Sequence, residues 1–450
     1  YYATVCEYVD VIEHLYLEMS TSFSRPRARL LNSRKSIFNA KNKMGMTLLY
    51  LASERDYEKI VKYLLILGAD INFRSTDGIT PLYVACQKGH ENILELLVTL
   101  GANINLGNVK GATPLYIACE VGNENIVKRL IAHGANINQS RKIGATPLYI
   151  ACQFGYENIV ELLIKSGAKV NLDTVKGATP LMISSQEGHI KVVERLLSAG
   201  AKVNQSTIRD VTALYLACER GHEIVVQHLI AFGANINQST IIDATPLYIA
   251  CQNGHEHIVE RLIAFGANIN QGSYTGVTPL YIACERGHMN ILELLVTSGA
   301  DINLGNEDGV TPLFISTQFG HIKIVERLLS MGAKINQGTR CGATPLYIAC
   351  EVGNENIAER LIAFGADINQ SRSNGCTPLY IACEKGHEKI VELLLVSGAD
   401  INRRAFIVRT PLSVALKNGH TRIAELFGVS NSSQMKTVQK SNNTSNCVIS

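Results

Sequence analysis

The chain has 450 residues, and its twelve histidines and twelve cysteines are the side chains best suited to metal or nucleophile chemistry. Their spacing argues for packing instead. His90, His189, His222, His255, His288, His321, His387 and His420 each follow a glycine at one phase of a regular period, and Asn123, Asn354, Tyr57 and Tyr156 fill the same slot. Such a residue reads as a helix-junction element. His255-Glu256-His257 lacks the i, i+4 spacing that sets two histidines on one face of a zinc-protease helix. Cys86, Cys119, Cys152, Cys218, Cys251, Cys284, Cys350 and Cys383 share a second phase, where Ser53, Ser185 and Thr317 also occur. That slot wants a small, slightly polar residue. Packed helices lie about 8–10 Å apart, beyond the roughly 7 Å that a disulfide can span, so these cysteines are expected to be reduced, in a reducing compartment. No Cys-x-x-Cys pair, phosphate-binding loop, dinucleotide glycine fingerprint or kinase signature is present. No catalytic residue, metal site or cofactor is expected. The sequons at Asn138, Asn204, Asn237 and Asn369 arise from a repeated Asn-Gln-Ser loop and are expected to be unmodified.

One motif does carry chemistry. Cys447-Val448-Ile449-Ser450 is a cysteine, two aliphatic residues and a final serine, the pattern of a prenylation site, with serine favouring farnesyl. It stands behind residues 430–446, nearly all Ser, Asn, Thr, Gln and Lys, which read as a flexible tail. One prenyl chain binds membranes weakly, and Lys436 and Lys440 add little charge, so attachment at Cys447 is expected to be peripheral and reversible.

The elements that position all of this follow one rule. Thr47, Thr80, Thr113, Thr146, Thr179, Thr212, Thr245, Thr278, Thr311, Thr344, Thr377 and Thr410 recur every 33 residues (80 − 47 = 33, and so on) without insertion or deletion. A period of this length means stacked supersecondary units. In residues 276–308, Thr278 can cap a helix and Pro279 fits its first position. Leu280, Ile282, Ala283 and Cys284 form its apolar face, and Gly287 stops it. Asn290 can start a second helix, with Ile291, Leu292, Leu294 and Leu295 on its buried face. Gly299 ends that helix, and a loop then turns at Asp308-Gly309. Neither helix is long enough to stand alone; stacked neighbours supply the core.

Twelve copies of Thr-Pro-Leu-Tyr-Ile-Ala-Cys or close variants, the Gly-His junction, the Leu-Leu pair and the Gly-Ala-Asn-Ile-Asn loop resemble the ankyrin repeat family. The resemblance covers about residues 31–428. It implies an all-α ankyrin-repeat α-solenoid with short β-hairpin loops, a curved array rising roughly 10 Å per repeat. The family's motif carries His where this chain mostly has Tyr, with Met182, Phe314 and Ser413 as exceptions. That His bonds across repeats, so ring packing is expected to replace part of the network. Asp210 and Asp243 stand where the turn normally has Gly, and Asp tolerates the left-handed conformation better than most residues. Val408 does so in repeat twelve, which reads as a cap. Residues 5–19 read as a helix, and Leu30-Leu31 with Ile37-Phe38-Asn39 read as a degenerate repeat. The expected organisation is a cap over 1–43, repeats over 44–428 and a tail over 429–450.

Composition bounds the partner. Net charge is +3, with 18% charged and 46% hydrophobic residues, which does not resemble a nucleic-acid binder. No apolar run is long enough to span a membrane. A monomeric, cytoplasmic, non-catalytic scaffold for protein partners is expected. Family arrays bind through loop tips and the exposed side of the first helices. At the tips, Val109, Val175, Ile208, Ile241 and Tyr274, joined by Ile143 and Ile242, make an apolar row interleaved with Lys110, Lys176 and Arg209. A row of this kind is a candidate interface. The alternative is that these side chains pair between neighbouring loops and stiffen them. A second row lies eight residues after each Thr and includes Phe154, Arg220, Arg286 and Phe319. The competing reading of the whole chain is the recognition arm of a larger enzyme, a ubiquitin ligase subunit or kinase, with its catalytic part before Tyr1.

Overall fold

Each repeat begins with a cap. The hydroxyl of every phase-marking threonine accepts the backbone N–H three residues on, for example Tyr116 N to Thr113 Oγ1 at 3.1 Å and Met182 N to Thr179 Oγ1 at 3.2 Å. All of these threonines except the half-buried Thr410 are buried, so the bond satisfies a helix-end donor that water cannot reach. Proline occupies the first helical turn after ten of them, Thr47 and Thr212 being the exceptions.

The computed structural model describes residues 38–406 and 409–428. The helix expected over 5–19, most of the N-terminal cap, Val408, the tail and Cys447 lie outside those residues. The chain divides into two units, residues 1–234 and 235–450. In unit one the first helices run from Leu48–Glu54 to Ala213–Arg220, and the second helices from Glu58–Ile66 to Glu223–Ala231. In unit two they run from Pro246–Asn253 to Pro411–Lys417, and from Glu256–Ala264 to Thr421–Leu426. Within each unit, first helices pack on first helices and second on second. No helix among the described residues is long and apolar enough to cross a membrane.

The core is the sum of these contacts. In Glu124–Ala132, Ile126, Val127 and Leu130 are fully buried, and the same three positions recur in Glu91–Thr99 as Ile93, Leu94 and Leu97. Each such side chain contributes roughly 1.5–3 kcal/mol. The second helix of repeat eight differs from expectation. It begins at Met289, with His288 as its N-cap, and Leu294 is only half-buried. The His288 ring does not cap the helix, because it is bonded to the Gln252 carbonyl of the previous repeat at 3.3 Å. Where Asn takes the slot, its side chain does cap: Asn123 Oδ1 accepts from Ile126 N at 3.0 Å.

That histidine is a joint between repeats. In unit one, Nε2 of His90, His189 and His222 meets the carbonyls of Glu54, Gln153 and Gln186 at 3.0, 3.0 and 2.9 Å. In unit two, His321, His387 and His420 reach Glu285, Glu351 and Glu384 at 2.9, 3.2 and 3.3 Å. A carbonyl only accepts, so Nε2 must carry the proton. The junction glycine of the preceding repeat makes room. Gly155 has φ +72°, and a Cβ there would lie 2.5 Å from the His189 ring.

Two further ladders join the repeats. Oδ1 of Asn72, Asn105, Asn138 and Asn171 accepts the N–H of Asn103, Asn136, Lys169 and Lys202, each at 2.8 Å. Asn39 does the same for Asp70 at 2.8 Å, so the chain already follows the repeat pattern there. On the second helices, Arg129 bridges Glu91 at 3.1 Å and Glu95 at 2.7 Å, and His133 adds a 2.9 Å contact to Glu95. The Arg129 guanidinium, with His133, holds the Glu95 carboxyl below its ordinary range. These pairs are solvent-accessible and contribute little individually.

Candidate interaction surface

The loops project as closed fingers. In repeat three, Asn108 N donates to Ala112 O at 2.9 Å, and Gly111 N donates to Asn108 O at 2.8 Å. The turn requires a positive φ, which Gly111 supplies at +81°. Asp210 and Asp243 take the same region at +56° and +55°. Their carboxylates accept from Ser206 Oγ at 3.3 Å and Ser239 Oγ at 3.4 Å. The hairpin character is minimal. Among the described residues only Ser206–Thr212 and Ala405–Arg409 form isolated antiparallel bridges.

Neighbouring fingers are tied tip to tip. In unit one, Val109 N donates to Asp77 O at 2.9 Å, Lys142 N to Lys110 O at 2.9 Å, Val175 N to Ile143 O at 3.0 Å and Ile208 N to Lys176 O at 3.1 Å. In unit two, Tyr274 N donates to Ile242 O at 3.0 Å and Arg340 N to Asp308 O at 2.8 Å. Backbone bonds stiffen the row and leave its side chains outward. Val109, Lys110, Ile143, Val175 and Ile208 in unit one are exposed, as are Ile241, Ile242 and Tyr274 in unit two. Exposure reaches 73% at Val175 and Tyr274, which no packing role requires.

The motif tyrosines support the fingers from below. Burial pushes Tyr83 and Tyr347 up to about 12. Their hydroxyls add hydrogen bonds to the expected ring packing. The Tyr116 hydroxyl accepts from Arg141 Nη1 at 3.1 Å, and the guanidinium lies 5.1 Å from the ring centroid. Arg372 repeats this on Tyr347, at 3.4 Å and 5.3 Å. Sequence reasoning missed both arginines. The signal was available: each stands five residues before its threonine, facing a tyrosine 25 residues back.

Phe154 and Arg220 in unit one, and Arg286 and Phe319 in unit two, lie exposed at the ends of first helices. The Phe154 ring stacks on Tyr156 with centroids 5.9 Å apart, and Phe319 on His321 at 6.5 Å. Phe319 and Val352 border a depression of ≈ 430 Å³ with Gly320, Gly353 and Asn354. These ring contacts restrict both aromatic side chains.

Among the described cysteines, Cys341 stands apart from the eight periodic ones and from the buried Cys376. The eight periodic thiols are buried, and burial pushes them well above the ordinary range, as at Cys86 and Cys284. Cys341, half-buried in a finger, is held lower, chiefly by Thr339 Oγ1 at 3.2 Å, with Arg372 Nη2 also at 3.2 Å. Iodoacetamide labelling of the native chain, mapped by mass spectrometry, is therefore expected to modify Cys341 well before any periodic cysteine. Equal labelling of Cys284 without denaturant would contradict this packing. Among the described residues no three His, Cys, Asp or Glu side chains come together as a metal site.

A family model described as ankyrin repeats (three copies) matches residues 49–141, 138–207, 205–273, 257–339 and 332–405. No curated protein matches the chain. Among solved structures, the crystal structure of the human ASB11 ankyrin repeat domain is similar at 27% identity, covering 49% of this chain and 100% of that one with a TM-score of 0.45. The thirty-three-residue helix pair, its threonine cap and the family model that runs from 49 to 405 agree, and the chain belongs to the ankyrin repeat family.

Proposed function

We propose that this chain is a non-catalytic scaffold that binds protein partners through the fingertips of each unit and the adjoining first-helix ends. The observation that carries this is the exposure of Val109, Ile143, Val175 and Ile208 on fingers already joined by backbone hydrogen bonds. Apolar side chains on a rigid, exposed row lose little entropy on binding. Ankyrin arrays are interaction modules, and no catalytic family is among the matches.

The test is affinity capture from native extract. Full-length wild type is compared with a variant carrying V109S, V175S, I208S, I241S and Y274S. The expected result is loss of specific partners with unchanged helical circular dichroism. Partners retained by both chains would move the interface to the row of Phe154, Arg220, Arg286 and Phe319.

A tether is a separate, conditional part of this reading. Where Ser450 is the natural terminus, Cys447 offers a prenyltransferase its motif. Intact mass from a eukaryotic host is expected to show the added lipid; an unmodified C-terminus removes the tether from the proposal.

A further inference from the structure

The fingertip row of unit one has a chemical signature that the scaffold reading does not use. Its four consecutive tips are Val109-Lys110, Lys142-Ile143, Val175-Lys176 and Ile208-Arg209. Each pairs one β-branched aliphatic residue with one cation, and all eight side chains are exposed. No tip in this run carries an acid. Carboxylates do flank the row: Asp77 stands on the preceding finger, its carbonyl accepting from Val109 N at 2.9 Å, while Asp173 accepts from Gln205 Nε2 at 3.4 Å and Asp210 from Ser206 Oγ at 3.3 Å. Arg141 is folded over the Tyr116 ring, and Arg74 Nη2 donates to the Gly107 carbonyl at 2.8 Å.

The backbone makes these pairs one line. The carbonyl of each tip's second residue accepts the N–H of the next tip's first residue, at 2.9 Å from Lys110 to Lys142, 3.0 Å from Ile143 to Val175 and 3.1 Å from Lys176 to Ile208. The surface is therefore a narrow ridge, one dipeptide wide, with its side chains already in register.

We infer that this ridge binds an extended, acidic segment of a partner protein, with aliphatic side chains set between its carboxylates. The inference rests on the protein-binding reading above and names the partner's chemistry. Four cations without a tip acid select negative charge, which steers encounter and rejects basic competitors. Val and Ile between them bury aliphatic groups rather than bind charge alone. Helix pairs stack at roughly 10 Å, and an extended chain rises about 3.1–3.3 Å per residue. The partner is thus expected to offer an acidic–aliphatic pair about every three residues.

The same charge could meet a membrane or a nucleic acid, but the side chains fit neither as well. None of these tips carries an aromatic residue. Trp and Tyr are the usual anchors at a lipid interface, and stacking aromatics are the usual platform for single strands. A ridge one dipeptide wide also presents little area to a flat bilayer.

The experiment selects peptides from a random display library on the full chain, and in parallel on K110E/K142E/K176E/R209E. Selected peptides are then titrated by fluorescence anisotropy. Vesicles of phosphatidylcholine with phosphatidylserine, and a single-stranded oligonucleotide, serve as competing probes. The expected result is enrichment of acidic and aliphatic residues at a three-residue period, with affinity at least roughly tenfold weaker for the charge-reversed chain. Added salt should weaken the wild-type complex. Four outcomes overturn the inference: enriched peptides that are basic or neutral, acidic peptides that bind both chains equally, a library that yields nothing, or wild-type binding confined to vesicles or oligonucleotide. The scaffold reading has its own readout. Extract partners lost with the five-serine variant would uphold it even if no acidic peptide were selected.

Discussion

Gly155→Ala lowers the stability of the full chain by roughly 2–4 kcal/mol, the sum of left-handed strain and a forced packing shift. The substitution places a Cβ at φ +72° and 2.5 Å from Nδ1 of His189. That ring cannot simply swing away, because its Nε2 is held on the Gln153 carbonyl at 3.0 Å. Gly167→Ala is the control. Its φ is +94°, but nothing lies within 4 Å of the new atom, so it carries strain alone, about 1–2 kcal/mol. Urea unfolding followed by circular dichroism compares the two. Combining G155A with His189→Ala should relieve the clash while removing the bond, giving a double mutant less destabilised than the sum of the singles. Equal costs for G155A and G167A would mean that the glycine serves the turn only.

Leu130→Ala is the second large effect, at roughly 3–5 kcal/mol. The side chain is fully buried, whereas its neighbour Ile131 is half-exposed. Ile131→Ala should cost less than half as much. The damage should also be local, since a repeat touches only its neighbours. Limited proteolysis of Leu130→Ala is expected to cut first at the fingers around Lys110 and Lys142, on either side of the weakened helix. Cleavage spread evenly along the chain, or equal costs for the two variants, would argue against a core built repeat by repeat.

Most of this architecture could be read from residue types alone, because each device is a local one. Thr113 followed by Pro114 announces a capped helix, Gly122 its end, and Ile126, Val127 and Leu130 the buried face of the next. Asp210 and Asp243 were recognisable as left-handed turn residues for the same reason. What escaped depends on which repeat a side chain addresses. His288 looked like part of the turn before a helix starting at Asn290, yet its ring belongs to the Gln252 carbonyl of the repeat before, and the helix starts at Met289. Arg141 drew no attention in the sequence, yet it covers Tyr116. Main-chain bonds such as Lys142 N to Lys110 O tie neighbouring fingers, a link that the reading in terms of paired side chains did not include. A periodic sequence fixes the spacing of such partners but not their direction. The apolar and charged character of the tips was plain in the sequence, while their alignment into one ridge needed the backbone.

The joints between repeats also govern how the length of such a chain can vary. A histidine reaches a carbonyl 36 residues back, an asparagine takes an N–H 31 residues ahead, and Thr76 meets Met44 at 32. The three offsets act together like the thread of a screw. Gain or loss of one whole repeat brings every donor back opposite an equivalent acceptor. A single inserted residue within a helix pair shifts the offsets that span it and unseats those joints at once. Within either unit the fold is therefore permissive toward whole-turn additions and intolerant of fractional ones, so the length of the fingertip row can change by recombination while its pitch stays constant.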